Sequence, residues 1–543
     1  MQTSVTKAAT AVDQYRHWRS RFSAQVAAKK MCDFLAAADE QDWLEAARAV
    51  MMEYGLPAAQ PMLEAAIGAH PRSVELRRAL GGVYRRAGRD AKAEEILRRL
   101  LDEKPDDVST ALALAEMFKE QGRVRAVADC LHSCMRHHSA DAKLAIWAIE
   151  FLDACDCKAD AAAVASAAIA ANPDDARLHA YAGMLQLQLG NFEAAREHHL
   201  FALNRSEQAW EWNMPLGLSQ TLKYRSAEHP DFALYAAGRA RAGLSDRARS
   251  ALLFTSGKAC DDVGDYAAAA RYFRDANALA GRMTKWTLGH WEHMVQARLA
   301  AAAPPARSMS PGEPAPIFIV GLPRSGTTLA AELLARYPHV CNRGELPWIA
   351  WLFERSMAQG MPSVGDLDRV AATYLAQLRR DDTDARWFID KQPHNFRYVD
   401  FTLALWPQAK IIYCERNPRD NALSLWMQAF LEDVQGFSYR FDHIDRVMKD
   451  CRRLMDHWRG RYPASIRTLR YESLVRDPQA HIAELAEWIG ISGAADISKA
   501  PVASSSISTA SLWQARQPVY ASSVGRWHNY LPFVPELAAF AEE

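Results

Sequence analysis

A short apolar run, Ile317-Phe-Ile-Val320, is followed by the loop Gly321-Leu-Pro-Arg-Ser-Gly-Thr-Thr328. The run predicts a buried strand, and leucines at 329, 333 and 334 have the spacing of a helix directly after the loop. In a strand, glycine-bounded loop and helix, backbone N–H groups and the helix N-terminus face a bound anion. The loop is therefore predicted to hold a phosphate through Pro323, Arg324, Ser325, Gly326, Thr327 and Thr328.

This loop departs from the loop of nucleoside triphosphatases in one position. The spacing matches G-x-x-x-x-G-K-[ST], but Thr327 stands where the lysine is expected. That lysine bridges the terminal phosphates of a triphosphate, so its absence disfavours triphosphate hydrolysis. The cation lies within the loop instead, as Arg324. Two interpretations of the loop remain open: a site for one 5′-phosphate carrying a leaving group, and the anion loop of another kinase-like protein.

A second strand leads to another candidate phosphate site. The apolar run Ile411–Cys414 precedes Arg416-Asn-Pro-Arg-Asp420, and we expect a helix from Asn421 with Asp420 as its N-cap. Ser424 follows eight residues after Arg416, early in that helix. A guanidinium fork and a hydroxyl donor together suit a second phosphate.

These two motifs resemble those of sulfotransferases. The loop resembles their 5′-phosphosulfate loop, P-[KR]-[ST]-G-T-[ST], and the Arg416 and Ser424 pair resembles their 3′-phosphate site. The resemblance implies 3′-phosphoadenosine 5′-phosphosulfate as donor co-substrate. Sulfuryl transfer requires no metal in principle, and the sequence shows no cluster of metal ligands, so none is expected. Glu345, 21 residues after Arg324 and preceded by Tyr337-Pro338, is similar in position to the base of the tyrosylprotein sulfotransferases.

The same resemblance implies catalytic roles. Glu345 takes the proton of the acceptor hydroxyl. Lys391, in Asp390-Lys-Gln-Pro393, contacts the transferring sulfuryl group or its bridging oxygen. Arg324 and Ser511 stabilise the transition state. Two histidines are the runner-up bases: His394 and His339.

Three further segments resemble parts of the donor site. Tyr471, in Arg470-Tyr-Glu-Ser-Leu474, is expected to contact the adenosine. Gly525-Arg526-Trp527 resembles a basic-residue-Trp step that contacts the 3′-phosphate, with Arg526 in place of lysine. The serines at 504–511 resemble a segment that folds over the nucleotide.

The N-terminal half has an internal period of 34 residues. Pro71, Pro105 and Pro173 are separated by 34 and 68 residues, and Gly88, Gly122 and Gly190 repeat these intervals. A unit of this length holds two helices, with Gly ending the first and Pro following the second. The pattern resembles the tetratricopeptide repeat. It predicts a repeat superhelix over 36–300 after a helical segment 1–35. The stretch 210–249 is off pattern and is expected to be helical.

The predicted fold is thus an all-α tetratricopeptide-repeat superhelix followed by an α/β P-loop-like parallel-sheet sulfotransferase domain. An Ala/Pro linker at 301–314 separates the repeats from the domain at 315–543. Within that domain, short apolar runs alternate with helical segments, as in a parallel sheet. The predicted strands are Ile317–Val320, Trp387–Ile389, Ile411–Cys414 and Ile466–Leu469.

Composition excludes several classes of protein. The 543 residues contain 65 Lys+Arg and 65 Asp+Glu, so the zero net charge argues against a nucleic-acid binder. No run of about 18 apolar residues or signal-like N-terminus is seen, which predicts a cytoplasmic protein without a membrane span. The nine cysteines are scattered, and Cys155-Asp-Cys157 lacks a second ligand pair at zinc spacing.

The predicted function is transfer of a sulfuryl group to a hydroxyl acceptor. A protein tyrosine is one candidate acceptor, and a glycan, lipid or small metabolite are the others. The repeats would bind a protein or peptide, or would act as a scaffold, and a homo-oligomer stays open. Two other classes remain: a nucleotide kinase-like enzyme, and a catalytically silent nucleotide-binding interaction protein.

Overall fold

The computed structural model describes residues 7–310, 312–313, 315–358, 360, 363–430, 433–493, 495 and 522–540, with only the backbone at 7–9. The chain divides into two compact units, Met1–Ala148 and Ile149–Glu543. In the described part of the chain, no helix combines the length and the apolar character that a bilayer crossing requires.

Helices are the regular secondary structure of the described residues of the first unit. Consecutive helices pair as the repeat pattern predicts. Its helices are α1 (Lys7–Arg19), α2 (Ala24–Leu35), α3 (Glu40–Tyr54), α4 (Leu56–Ala69), α5 (Val74–Arg86), α6 (Asp90–Glu103), α7 (Val108–Glu120) and α8 (Val124–His137), and α9 (Ala142–Ala154) crosses the boundary between the units.

The glycines of the 34-residue pattern have the predicted backbone conformation. Gly88, Gly122, Gly190 and Gly264 have φ of +71°, +71°, +86° and +83°, each just after the first helix of a repeat. Such angles are strained for residues with a Cβ. Asp156, 34 residues after Gly122, takes the same conformation with φ of +64°. The period therefore reflects one turn geometry that recurs along the chain.

The second unit begins with further helices of the repeat region. These are α10 (Lys158–Ala171), α11 (Ala176–Leu189), α12 (Phe192–Arg205), α13 (Met214–Ser219), α14 (Pro230–Arg239), α15 (Asp246–Asp262), α16 (Tyr266–Met283) and α17 (Leu288–Ala300), with a 3-10 helix at Glu207–Trp210. The prediction that 210–249 is helical was correct only in part, because 220–229 is turn and irregular chain. Pro230 begins α14, where its missing N–H has no cost.

A five-stranded parallel sheet follows. Its order is β2-β3-β1-β4-β5, and all four pairings are parallel, as predicted. The edge strand β2 was not predicted, because three residues are too few for an apolar run. The strands are β1 (Ile317–Gly321), β2 (Val340–Asn342), β3 (Trp387–Asp390), β4 (Lys410–Glu415) and β5 (Ile466–Arg470).

Helices cover both faces of this sheet. They are α18 (Thr327–Leu334), α19 (Trp348–Ala358), α20 (Val364–Arg379), α21 (Val399–Leu405), α22 (Pro418–Trp426), α23 (Phe441–Arg461), α24 (Tyr471–Arg476), α25 (Pro478–Ile489) and α26 (Trp527–Tyr530). Three 3-10 helices lie at Pro393–Tyr398, Asp433–Tyr439 and Pro535–Ala539. Alternate residues of β1 enter two cores, with Phe318 in one and Ile319 in the other.

The larger core joins the repeat helices to the sheet. Phe273 of α16 and Trp291 of α17 belong to the same buried cluster as Phe318 and Trp426. The cluster therefore contains residues from both sides of the predicted linker. The boundaries predicted at 35, 300 and 314 stay predictions.

Candidate active site

The candidate site lies where the parallel strands end. The loop 322–326 follows β1, Glu345 follows β2, Lys391 follows β3, Arg416 follows β4 and Tyr471 follows β5. Because parallel strands have their carboxyl ends at one edge of the sheet, five separate segments meet there. This is where ligands bind in open α/β sheets.

The phosphate loop has a backbone that few residues tolerate. Arg324 has φ of +69° and Gly326 has φ of +96°. A Cβ at Gly326 would lie 2.6 Å from Cδ2 of Tyr471, so the loop and this ring are in close contact. Helix α18 begins at Thr327, immediately after this turn, and its first N–H groups are therefore near the loop.

The predicted 3′-phosphate residues lie against this loop. Arg324 Nε donates to Ser424 Oγ at 3.0 Å. The two terminal nitrogens of Arg416 donate to the carbonyl oxygens of Arg324 at 3.0 Å and Ser523 at 2.7 Å. Its guanidinium carbon lies 4.7 Å from the ring centre of Tyr471. The structure thus brings Arg324, Arg416, Ser424 and Tyr471 together.

The hydrogen bonds of the Arg416 guanidinium leave part of its donor capacity unused. Its Nε is buried and has no acceptor among the described residues. A buried N–H of a charged group without a partner is costly, and an anion would satisfy it. Arg416 and Ser325 also line a cavity of about 380 Å³. These features fit a phosphate-bearing nucleotide.

The start of α22 differs from the prediction. Asn417 is the N-cap, and its side chain accepts from the N–H groups of Arg419 at 3.0 Å and Asp420 at 3.3 Å. The predicted cap, Asp420, was wrong, because Pro418 is suited to the first helical position and starts the helix earlier. Ser424 consequently lies near the end of α22 and not early in it.

Glu345 and Lys391, predicted to be catalytic, form an ion pair with each other. Lys391 is only 1% exposed, whereas Glu345 is exposed. The backbone holds the two segments together, since Lys391 N donates to Gly344 O at 2.9 Å. The preceding Arg343 is buried and makes two 2.8 Å hydrogen bonds to Asp382. The structure therefore places a solvent-facing carboxylate over a buried ammonium.

The two runner-up histidines have different positions. His339 is exposed and precedes β2, so it lies at the opposite edge of the sheet from the loop. His394 follows β3 and is buried, and neither of its ring nitrogens has a partner in the described part of the chain. Burial lowers the pKa of His394 to about 3, so its ring is neutral.

The C-terminal residues predicted to touch the nucleotide have partners within the protein, and their contact with a nucleotide stays a prediction. Arg526 forms an ion pair with Asp261 of α15. Trp527 is buried beneath Arg419, whose guanidinium carbon lies 4.4 Å from the indole ring centre. The N–H groups of Gly525 and Trp527 donate to Asp420 at 2.7 and 3.1 Å. Ser511 and the other serines at 504–511 lie outside the described residues.

A cavity of about 610 Å³, which we name the loop cavity, opens beside these residues. The sheet side contributes the phosphate loop, Glu345 and His394. The repeat side was not predicted, although the break in the repeat pattern after residue 209 was a signal. Its wall comes from α11, α12 and α13 and the segment before α13, and includes Met184, His199, Trp212, Asn213 and Leu216.

Comparison with protein families supports this architecture. The sulfotransferase family model matches residues 316–496, and a tetratricopeptide repeat model matches residues 55–108 and 147–200. The chain therefore contains tetratricopeptide repeats followed by a sulfotransferase-family domain, as the resemblance predicted. The relation to the tyrosylprotein enzymes stays a prediction.

Three relatives share parts of the chain. An uncharacterized protein of Aquifex aeolicus is 28% identical over 317 aligned residues, and the alignment covers 54% of this chain and 42% of that protein. Nodulation protein NoeE of Sinorhizobium fredii is 31% identical over 144 residues, 22% of this chain and 33% of its own. Sulfotransferase 4A1 of Mus musculus is 25% identical over 196 residues, and the alignment covers 34% of this chain and 62% of that protein. The match spans less than two thirds of each relative.

One solved structure aligns with much of the chain. It is a tetratricopeptide repeat protein from Parabacteroides merdae, which covers 47% of this chain and 96% of its own at 14% identity. The TM-score is only 0.25, so the repeats are identified by the family match and not by this alignment.

Proposed function

We propose that this chain is a sulfotransferase that moves a sulfuryl group from 3′-phosphoadenosine 5′-phosphosulfate to a hydroxyl acceptor. One observation carries the proposal: the cluster of Arg324, Ser424, Arg416 and Tyr471 and the ion pair of Glu345 with Lys391 share one edge of the sheet. The family match over 316–496 adds support.

The donor would be held at its two phosphate ends. The N–H groups of residues 323–328 would bind the 5′-phosphate at the start of α18. Arg416, whose Nε has no partner in the described part of the chain, and Ser424 would bind the 3′-phosphate, and Tyr471 would contact the adenosine. We keep Arg526 and Trp527 as proposed nucleotide contacts, for which Arg526 would have to leave Asp261.

The chemical step needs a base and local positive charge. The acceptor oxygen forms a bond to sulfur while the bond from sulfur to the 5′-phosphate oxygen breaks. Glu345 would take the hydroxyl proton, and the exposure of its carboxylate to solvent supports this role. Lys391 and Arg324, with Ser511, would stabilise the charge that develops on the leaving oxygen. The products are a sulfate ester and 3′-phosphoadenosine 5′-phosphate, and the step as written uses no metal ion.

For the acceptor, we propose a preferred class of molecule and keep several alternatives. Repeats of this kind form extended binding surfaces, which favours a protein or peptide acceptor such as a tyrosine. Glycans, lipids and small metabolites are the alternatives. A cytoplasmic location and a homo-oligomer belong to the same proposal.

Radiolabelled donor provides the direct test. The pure protein would be incubated with the donor and a host lysate divided into macromolecular and small-molecule fractions. We expect label in one fraction, and less of it by about two to four orders of magnitude with Glu345→Gln. Donor binding without label in either fraction would favour the catalytically silent interaction protein.

A further inference from the structure

The loop cavity has two walls of different origin. One wall is the phosphate loop with Thr327, Thr328 and Glu345, where transfer is proposed to occur. The other wall consists of repeat helices, with Met184 from α11 and Leu216 from α13. At about 610 Å³, the cavity has the size of sites for organic molecules of moderate size.

Charge is almost absent from the repeat wall. Of the lining residues contributed by α11 to α13 and the segment before α13, Arg177 alone is charged, and it is exposed to solvent. The remaining side chains are apolar, such as Met184 and Trp212, or neutral and polar, such as Asn213. A charged group buried against this wall would lose hydration without gaining a counter-charge from α12 or α13, because the charged lining residues Arg324 and Glu345 belong to the opposite wall.

The cavity also has hydrogen-bonding groups that the protein does not satisfy. The side-chain oxygens of Asn213 and Gln435 are buried and accept no hydrogen bond from the described residues. A buried acceptor without a donor is unfavourable, so each of these oxygens would be stabilised by a donor from an occupant. Both residues line the cavity, and turning either amide toward it would let an occupant with hydroxyl or amide N–H groups donate to the oxygen.

His199 reinforces this neutral character. It is 1% exposed, and neither ring nitrogen has a partner in the part of the chain that is described. The ring occupies space left by two glycines: a Cβ at Gly183 or Gly217 would lie 2.7 Å from one of its nitrogens. Burial lowers the pKa of His199 to about 4, so a buried imidazole here is uncharged.

We propose that helices α11 to α13 form the selective wall of the acceptor site, and that the acceptor is an uncharged molecule with several hydroxyl or amide donors and an apolar portion. This inference rests on the proposed function. According to this inference, the repeats select the acceptor inside the loop cavity. The residues that do so are Met184, His199, Trp212, Asn213 and Leu216.

The test uses three probes that differ chiefly in charge: hexyl β-D-glucopyranoside, the hexyl glucuronide and hexyl 2-amino-2-deoxyglucopyranoside. Each is titrated calorimetrically into the full chain saturated with 3′-phosphoadenosine 5′-phosphate. We expect the neutral probe to bind at least tenfold more tightly than either charged one. Equal affinities, or no detectable binding of the neutral probe, overturn the inference. Failure of the nucleotide itself to bind contradicts the proposed function and, with it, the inference.

Paired substitutions at Met184 separate charge from shape. Met184→Glu should weaken the neutral probe at least tenfold and shift the preference toward the cationic probe. Glutamine has nearly the same shape as glutamate but carries no charge, so Met184→Gln should not shift the preference toward the cationic probe. Asn204→Glu, on the exposed surface of α12, should leave all probe affinities unchanged. The same shift in both Met184 variants, or in neither, would contradict a selective repeat wall.

Discussion

Glu345 and Lys391 show how a single ion pair links stability to chemistry. Lys391 is almost completely buried, and its ammonium group has the Glu345 carboxylate as ion-pair partner. Truncating Glu345 would leave the buried ammonium with neither the counter-charge nor the hydrogen-bond acceptor of that side chain, which is strongly destabilising. The most informative substitution therefore keeps a hydrogen-bonding side chain at position 345.

Glu345→Gln should lower turnover by about two to four orders of magnitude, because a general base contributes roughly that much. Affinity for 3′-phosphoadenosine 5′-phosphate should be retained. Turnover with labelled donor and calorimetric binding give the two readouts. Glu354→Gln, on the exposed surface of α19, is the matched control. A near-normal rate in the Glu345 variant would show that another group is the base.

His394 gives the protein an acid sensitivity of defined sign. Its pKa falls from about 6.5 in the unfolded chain to about 3 in the fold, through burial. The unfolded chain therefore binds more protons below pH 6.5, and this contribution to stability is lost as the pH falls from 6.5 toward 3. His394→Asn removes the titration. Between pH 7 and 5, the unfolding free energy of the native chain should fall relative to the variant, by at most about 1.4 kcal/mol per pH unit. Chemical unfolding at several pH values measures this, and parallel curves would contradict it.

Residues within one segment could be predicted, whereas pairings between distant segments could not. The loop, Arg416 and Ser424 have fixed local spacing, and parallel strands bring their segments together. Arg526, in contrast, pairs with Asp261 at a separation of 265 residues. No local pattern carries that information, and the same holds for the repeat wall of the loop cavity.

At the level of secondary-structure elements, the turns of the repeats were the most predictable feature. Gly88 has φ of +71°, with open space where a Cβ would lie, so a side chain there is opposed by backbone strain alone. Gly82 lies inside α5 with ordinary helical geometry, and a Cβ there would meet nothing closer than 4.0 Å. Two glycines of one repeat thus have opposite requirements.

Gly88→Ala should destabilise the protein by about 1 kcal/mol, because an alanine in the left-handed region is strained. Gly82→Ala should stabilise it by up to about 1 kcal/mol, because alanine is the better helix former. Thermal and chemical unfolding of the two variants provides the measurement. Equal effects at both positions would mean that the turn conformation is not specified by Gly88.

The strands and the start of α22 were predicted with different success. The four longer strands are apolar runs, whereas β2 has only three residues. The error at α22 arose because two capping residues, Asn417 and Asp420, lie one turn apart. Pro418 between them determines the start, since proline is accommodated best in the first turn.

At the scale of the whole molecule, the repeat helices of the second unit and the sheet share a core. Arg298 of α17 forms a buried ion pair with Asp400 of α21, and its Nε donates to Arg397 O at 3.0 Å. Arg274 of α16 pairs with Glu536 at 2.6 Å, but this pair is partly exposed. Both pairs connect the same two regions of the chain in different surroundings.

Arg298→Ala should cost about 3–5 kcal/mol, because it leaves the buried Asp400 carboxylate without its partner. Arg274→Ala should cost at most about 1 kcal/mol, as is usual for exposed pairs. Chemical unfolding of the full chain measures both. Similar costs for the two variants would indicate that the repeats and the sheet are not held together through the buried pair.

The most direct test of sulfotransferase function is a comparison of 3′-phosphoadenosine 5′-phosphate with adenosine monophosphate, which lacks the 3′-phosphate, by calorimetric titration. We predict that the native chain prefers the bisphosphate. Arg416→Ala should weaken the bisphosphate by about 1.5–3 kcal/mol, the range for hydrogen bonds to charged groups, and should affect the monophosphate much less. Equal affinities in the native chain, or equal losses for both ligands in the variant, would contradict a donor site built around Arg416.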